Sequence, residues 1–214
     1  MALIVNEIFY SIQGESTYAG RPCAFIRLTG CNLRCTYCDT TYAYDEGLEM
    51  ELADIVNRIG RYQCPLVEIT GGEPLLQDQT PQLIQNLLDQ GYEVLMETNG
   101  SLDIDTVNPK CHRIVDIKCP TSGQSGQNDW GNLKRLTSLD QVKFVIGDLR
   151  DYQFAKTKLG LLPADLPAGQ ILFSPVAEKM PPALLAEWIL SDHLPVRLQV
   201  QLHRVIWPDK PRGV

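Results

Sequence analysis

The chain has 214 residues, of which 44% are apolar and 21% are charged, and its formal net charge is −7. This balance suits one globular domain over residues 1–214, and the acidic charge argues against nucleic-acid binding, which requires a basic surface. No long uncharged apolar run is present to cross a membrane, and Glu7 lies where a secretory signal peptide would stay apolar. We therefore expect a soluble cytoplasmic protein without a nucleic-acid or membrane partner.

Apolar runs along the chain predict β-strands, in order, at residues 23–29, 66–70, 92–98, 113–118, 141–146, 170–174 and 196–201. Between some of them, apolar residues recur at helical spacing in 48–59, in 80–91 and from Pro182 onward. Alternating strands and helices predict a parallel sheet. Because the strands outnumber the helices, we expect an α/β fold, a partial (open) TIM-like barrel of mostly parallel strands with few helices.

Three of the seven cysteines fall within eight residues, Cys31, Cys35 and Cys38, with the spacing C-x3-C-x2-C. Thiolates this close cannot share one face of a strand, so a loop must wrap them around a metal ion or cluster. Structural zinc sites and electron-transfer clusters generally have four protein ligands, but the motif has no fourth cysteine. It therefore favours a four-iron cluster with one open iron, and a zinc site completed by a histidine is the alternative.

The remaining cysteines are scattered along the chain, and an odd total in a chain without an export signal does not fit a disulfide framework. We expect these four to be buried structural thiols: Cys23, Cys64, Cys111 and Cys119.

Polar residues follow the ends of the predicted strands. Residues 70–74, TGGEP, come directly after one strand; paired glycines let a backbone approach a ligand, and Glu73 is suited to accept a hydrogen bond from an ammonium group. Other strands end at Glu97 to Asn99, Asp116 to Lys118, Ser174, and Gln201 to His203. Because the carboxyl ends of parallel strands share one edge of a sheet, we expect these groups to converge on one ligand site.

Arg27 lies inside an apolar strand, CAFIRLT, where a charged side chain needs a partner. An anionic substrate and a structural carboxylate both satisfy that need. The short distance along the chain from Arg27 to the cysteine motif favours the substrate.

The cysteine motif, with Tyr37 before its last cysteine, resembles the signature of the radical S-adenosylmethionine (SAM) superfamily, and GGEP resembles that superfamily's site for the methionine amino group. The resemblance implies that Cys31, Cys35 and Cys38 bind a [4Fe–4S] cluster whose open iron is chelated by SAM. An electron from the cluster would then cleave SAM to a 5′-deoxyadenosyl radical. The SAM site that the resemblance implies consists of Tyr37, Gly72, Glu73, Glu97, Asp116, Lys118 and Ser174.

Over nearly the whole chain, the sequence resembles the 7-carboxy-7-deazaguanine synthase family, through EIF, SIQGE, FIRL, YCDT, ITGGEP, METNG, DIKCP and a late QLH. The resemblance implies conversion of 6-carboxy-5,6,7,8-tetrahydropterin to 7-carboxy-7-deazaguanine with release of ammonia, in the route to queuosine and other 7-deazapurines. It also implies a homodimer, a flavodoxin- or ferredoxin-type electron donor, and a Mg²⁺ ion bound by Thr40. The pterin would contact Ile12, Gln13, Gly14, Glu15, Arg27, Thr70 and His203. Ser16 departs from the pattern, because a glycine is usual there.

Two other functions remain open from the sequence. An activase for a glycyl-radical enzyme shares the cysteine motif and the small size, although the SIQGES segment and the Tyr-Cys-Asp-Thr run favour the pterin enzyme. A non-catalytic zinc-binding module is the second alternative.

Overall fold

The computed structural model describes residues 1–177 and 179–214. The strands in this part of the chain are β1 (Ala2–Ile12), β2 (Pro22–Leu28), β3 (Leu48–Glu51), β4 (Leu66–Gly71), β5 (Glu93–Thr98), β6 (His112–Ile117), β7 (Gln141–Ile146), β8 (Ile171–Pro175) and β9 (Arg197–Leu198). The α-helices are α1 (Leu52–Gly60), α2 (Thr80–Asp89), α3 (Asn132–Arg135), α4 (Leu149–Leu159), α5 (Pro182–Ser191) and α6 (Leu202–Ile206).

The described residues form one sheet of nine strands in the order β3-β1-β2-β4-β5-β6-β7-β8-β9. Strand β1 pairs antiparallel with both β2 and β3, and every pairing from β2 to β9 is parallel. The edge strands β3 and β9 do not pair with each other, so the sheet stays open. The predicted α/β fold, a partial TIM-like barrel of mostly parallel strands with few helices, is confirmed.

The two faces of the sheet differ in chemistry because side chains alternate along each strand. On the outer face Ile26, Ile69, Val115 and Phe144 are fully buried, and helices such as α2 and α4 pack over this face. Burial of such a side chain stabilises the fold by roughly 1.5–3 kcal/mol. The inner positions of the same strands are largely polar, with Arg27, Thr70, Glu97, Asp116 and Lys143. The alternation therefore separates a hydrophobic core from a polar concave face.

The beginning of the sheet differs from the sequence prediction. Strand β1 was not predicted, because a bulge between Val5 and Glu7 interrupts its alternation of buried and exposed residues. Residues 48–51 form β3 instead of the start of a helix, and α1 begins at Leu52. The side chain of Leu48 is accordingly exposed rather than part of the helical apolar stripe.

The second half of the chain also contains elements that the sequence pattern did not predict. Helix α4 has a narrow apolar face, on which the buried apolar residues are Tyr152 and Ala155. The helical periodicity of apolar residues in its sequence is therefore weak. The strand predicted at 196–201 is reduced to the two residues of β9, and His203 lies in α6 rather than at a strand end. Within residues 1–177 and 179–214, no helix combines the length and apolarity needed to cross a bilayer.

Candidate active site

A cavity of about 770 Å³ opens on the polar inner face of the sheet. Its volume lies within the range of about 300–1,000 Å³ that is typical of small-molecule sites. Its walls include all three cysteines of the motif and every other residue assigned to a site from the sequence, except Glu73. The expectation that these groups converge at one edge of the sheet therefore agrees with the geometry.

The cysteine loop follows β2 and is shaped by Gly30, whose φ of +98° lies in a region that favours glycine. Cys31, Cys35 and Cys38 are all partly exposed to the cavity, whereas the other four cysteines of the chain are buried. The backbone N–H of Leu33 donates to Cys31 Sγ at 3.4 Å, and the Asn99 amide approaches the same sulfur at 3.9 Å. These donors are suited to stabilise a thiolate.

The TGGEP turn packs directly against the cysteine loop. A Cβ atom on Gly72 would lie 2.1 Å from the Gly30 carbonyl oxygen and 2.7 Å from Cys31 Cβ. A Cβ on Gly71, whose φ is +151°, would lie 2.2 Å from the Leu28 carbonyl oxygen. Glycine is therefore required at both positions for the two segments to make this close approach.

Glu73 is fully buried behind the cavity wall rather than exposed within it. Its carboxylate accepts hydrogen bonds from Leu75 N at 3.0 Å, Thr98 Oγ1 at 2.9 Å and Asn99 N at 2.7 Å. Burial raises the pKa of Glu73, and these donors partly oppose that rise. The side chain thus connects the TGGEP turn to the end of β5.

Lys143 was not recognised from the sequence, although a charged residue inside the strand QVKFVI is the same signal that identified Arg27. Its Nζ atom lies 2.9 Å from Glu15 Oε2 and 3.9 Å from Asp116 Oδ2, and it also donates to Glu97 Oε1. Burial opposes the charged form of Lys143, but the surrounding carboxylates outweigh it and raise its pKa well above the usual value.

Glu68 is a second buried cavity residue that sequence reasoning missed. It accepts a hydrogen bond from the Gln13 side-chain amide and is 3% exposed. Burial, together with the nearby charges of Glu97 and Glu15, raises the pKa of Glu68 well above its usual value. Its position two residues before Thr70 on β4 gives it the same inward orientation.

Lys118 Nζ donates to Asp116 Oδ2 at 2.8 Å, beside the cysteine loop. Burial opposes its charge, but Asp116 and Cys35 raise the pKa of Lys118 above its usual range. Asp116 Oδ1 and the Tyr37 hydroxyl are buried without a hydrogen-bond partner in the described part of the chain. Buried polar atoms are normally paired, so both atoms are available to a bound ligand.

Arg27 contacts a structural carboxylate and the cavity at the same time. Its Nε lies 2.8 Å from Glu7 Oε1, and the Tyr42 hydroxyl donates to that same oxygen at 3.1 Å. Burial opposes the charge on Arg27, but Tyr42 and Glu7 raise its pKa above the usual value. Of the two partners expected from the sequence, the structural carboxylate is therefore present, and Arg27 also lines the cavity.

The loop after β1 contains Ser16 in a left-handed conformation, with φ of 62°, which explains why a glycine is usual at this position. Its hydroxyl accepts a hydrogen bond from Tyr18 N at 3.1 Å, and its own N–H donates to Gln199 Oε1 at 2.6 Å. The same loop places Ile12, Gln13, Gly14 and Glu15 along the cavity.

The C-terminal segment closes one side of the cavity. Leu202 N donates to the Gly14 carbonyl at 2.9 Å, and His203 packs so closely that a Cβ on Gly14 would lie 2.2 Å from its Nδ1. Burial lowers the pKa of His203. The tail beyond it also lines the cavity, and the Arg212 guanidinium lies 3.9 Å from the centre of the Tyr42 ring.

Thr40 lines the cavity and donates to Asp39 Oδ1 at 2.9 Å. Burial would raise the pKa of Asp39, but the hydrogen bonds from Thr40 and Arg204 lower it below the usual value. Across residues 1–177 and 179–214, no three side chains of His, Cys, Asp or Glu are arranged to hold a single metal ion.

Comparison with known proteins identifies the relatives of this chain. Residues 25–118 match the radical SAM superfamily. A 7-carboxy-7-deazaguanine synthase from Chlorobaculum tepidum is 46% identical over 99% of this chain and 97% of the relative. One from Koribacter versatilis is 40% identical over 98% of this chain and 99% of the relative. The crystal structure of QueE from Escherichia coli matches with a TM-score of 0.80 at 26% identity, covering 95% of each chain.

Proposed function

The chain belongs to the 7-carboxy-7-deazaguanine synthase family of the radical SAM superfamily, and from this premise we propose that it converts 6-carboxy-5,6,7,8-tetrahydropterin to 7-carboxy-7-deazaguanine with release of ammonia. One observation carries the proposal. The three cysteines and the polar inner face of the sheet open onto the same cavity of about 770 Å³. The relatives do not favour the two alternatives, a glycyl-radical activase and a zinc-binding module.

Membership of the superfamily implies a [4Fe–4S] cluster and SAM as cofactors. Cys31, Cys35 and Cys38 would bind the cluster as thiolates and leave one iron for SAM. When bound and reduced, the cluster supplies the electron that cleaves SAM to the radical used in the reaction. The fit is supported by the partial exposure of these three thiols to the cavity and by the N–H donors of Leu33 and Asn99 at Cys31.

The residues proposed for SAM lie beside the cysteine loop. The free Asp116 Oδ1 would accept a hydroxyl or amino donor, and Lys118 keeps the other oxygen of Asp116 fixed. Tyr37 would pack its ring against the adenine and direct its unpaired hydroxyl to the ligand. Gly72 allows close backbone approach, Ser174 adds a hydroxyl at the end of β8, and Glu73 supports the turn from behind.

The pterin is proposed to bind between Arg27, the loop after β1 and α6. Arg27 offers its remaining N–H groups to the pterin carboxylate. His203 lies near enough for the charge of Arg27 to act on it. Donors on the pyrimidine ring would meet acceptors in the cavity, Glu97 among them. The residues proposed to contact the substrate are Ile12, Gln13, Gly14, Glu15, Arg27, Thr70 and His203. Glu68 joins this proposal as a further cavity residue, and Glu97 is moved to it from the set that the resemblance implied for SAM.

Thr40 is proposed to bind Mg²⁺ next to the substrate, and the neighbouring Asp39 carboxylate makes the position suitable for a hard cation. We further propose a homodimer, a flavodoxin- or ferredoxin-type electron donor and a cytoplasmic location, which follow from the family resemblance. The continuous sheet from Ala2 to Leu198 supports the treatment of the chain as one domain.

The test is anaerobic incubation of the reconstituted enzyme with the pterin, reductant, Mg²⁺ and SAM, followed by mass spectrometry of the products. We expect 7-carboxy-7-deazaguanine from the parent enzyme and none from Cys35→Ala. If the iron-loaded parent enzyme cleaves SAM but forms no deazapurine, the proposed reaction is wrong.

A further inference from the structure

Lys143 is a buried cation in the middle of β7 that no sequence motif singled out. Its side chain is 6% exposed, and its ammonium group contacts carboxylates from three different elements, namely Glu15, Glu97 and Asp116. A buried ammonium group needs a compensating negative charge, and one carboxylate would supply it. Three carboxylates around Lys143 are therefore more than the neutralisation of its own charge requires.

The contacts of Lys143 leave two carboxylate oxygens without a partner among the described residues: Asp116 Oδ1, which is proposed for SAM, and Glu97 Oε2. Glu15 is fully engaged, since Gln201 Nε2 donates to its Oε1 at 2.8 Å and Gln199 Nε2 donates to its Oε2 at 3.1 Å. Lys143 donates a hydrogen bond to Glu97 Oε1. The other oxygen, Glu97 Oε2, accepts no hydrogen bond from the described residues. Lys143 thus fixes one oxygen of Glu97 and leaves the other free at the cavity wall.

Three charged groups act directly on Glu97: Lys143 on β7, Asp116 on β6 and Glu15 after β1. Glu97 in turn acts on Glu68 on β4, and Lys118 donates to Asp116. Burial raises the pKa of Glu97; Lys143 opposes this rise, and Glu15 and Asp116 reinforce it. A carboxyl group with a raised pKa loses its charge as the pH falls. Without Lys143, that loss would begin at a higher pH.

We propose that Lys143 is a positioning residue, which holds Glu97 so that its free oxygen accepts N–H donors from the pyrimidine ring of the pterin. This inference rests on the proposed function, because the pterin is assigned to the cavity there. The amino group and the ring N–H of a pterin both donate hydrogen bonds, and an ionised carboxylate is a strong acceptor for them. Lys143 Nζ lies 2.9 Å from Glu15, which is proposed for the substrate, and 3.9 Å from Asp116, which is proposed for SAM. The closer contact with Glu15 favours the pterin over SAM as the ligand of Glu97.

The experiment measures the dissociation constant of the pterin from the cluster-loaded enzyme, without SAM, as a function of pH. The parent enzyme is compared with Lys143→Met, Lys143→Arg and the control Lys156→Met, whose ammonium group pairs with Asp192 outside the cavity. We expect Lys143→Met to weaken binding about 10-fold or more at neutral pH. The pH below which binding is lost should rise by about one unit, as expected when an adjacent opposite charge is removed. Lys143→Arg and Lys156→Met should keep the parent profile.

A double-mutant cycle with Glu97→Gln tests whether Lys143 acts through Glu97. The double variant should bind the pterin as weakly as Glu97→Gln alone, because coupled residues give non-additive effects. Additive losses would overturn the inference, and so would a Lys143→Met variant that binds the pterin with the dissociation constant and pH profile of the parent enzyme. Should Lys143→Met fail to fold, Lys143→Gln takes its place: an upward shift of the pH profile supports the inference, and the parent profile overturns it.

The parent enzyme separates this inference from the proposed function. If the parent enzyme does not bind the pterin, the proposed function fails. If the parent enzyme binds it and Lys143→Met binds it equally well, only the role of Lys143 is wrong.

Discussion

Arg27 and Glu7 face each other across the antiparallel pair β1–β2, and Arg27 Nε lies 2.8 Å from Glu7 Oε1. Both side chains are mostly buried, at 14% and 18% exposure. The pair fixes the guanidinium at the cavity wall while its other N–H groups remain open to a ligand. Arg27 can therefore form an ion pair with Glu7 and bind the substrate at the same time.

Arg27→Gln should raise KM for the carboxylated pterin about 10-fold or more, since a charged hydrogen bond is lost. Cluster content should not change. Steady-state kinetics and iron analysis measure the two effects. Glu7→Gln is the control, because it retains the Arg27 charge and an acceptor oxygen, and its KM should stay near that of the parent enzyme. Equal losses in the two variants would mean that Arg27 acts only through the ion pair.

Cys35→Ala should abolish cluster loading, whereas Cys119→Ala should retain it. Cys35 is partly exposed to the cavity, and Cys119 is fully buried although it lies in the DIKCP motif close to the site. Iron and sulfide analysis after anaerobic reconstitution measures the difference. A Cys119→Ala protein that folds but holds no iron would identify a fourth protein ligand and contradict the open-iron site.

Gly72→Ala should displace the cysteine loop, because the added Cβ would lie 2.1 Å from the Gly30 carbonyl oxygen. Overpacking of this kind destabilises a protein by roughly 1–3 kcal/mol. We expect a lower melting temperature and reduced iron content. Gly126→Ala adds the same methyl group where no atom lies within 4 Å and should leave both quantities unchanged. Normal iron loading in Gly72→Ala would show that the TGGEP turn does not position the loop.

Thr40→Ala should remove most of the stimulation of activity by Mg²⁺, since it deletes the hydroxyl proposed to bind the ion. Thr41→Ala, at the adjacent exposed position, should respond to Mg²⁺ like the parent enzyme. The measurement is a titration of activity with Mg²⁺ after removal of divalent ions. An unaltered response in Thr40→Ala would place the metal at other ligands.

The strands β2 and β4 to β8 were predictable because each contains a short, largely apolar run, whereas the residues of β3 were predicted as the start of a helix. Strand β1 was not predictable, since its bulge and its central Glu7 disturb the alternation of side chains. Strand β9 is only two residues long, and α6 depends on contacts with the loop after β1, such as Leu202 N to the Gly14 carbonyl. Such long-range pairings leave little signal in the local sequence.

The candidate site was predictable where motifs determine position, as in the cysteine loop and the TGGEP turn. The orientation of Glu73 was not, because the turn directs its carboxylate to backbone donors behind the cavity. Lys143 and Glu68 carry the same signal as Arg27, a charged residue in an apolar strand, but neither was singled out. Their contacts with Glu97 and Gln13 arise only when the sheet assembles. The local sequence thus predicted which chemical groups form the site better than it predicted the hydrogen bonds and ion pairs that hold them.

The central claim is that three cysteines leave one iron of the cluster open to SAM. Electron paramagnetic resonance of the anaerobically reconstituted, reduced enzyme tests it directly, with spectra recorded before and after SAM is added. We predict a [4Fe–4S] signal whose g values change when SAM binds. A spectrum that SAM leaves unchanged, in protein with full iron and sulfide content, would contradict the claim.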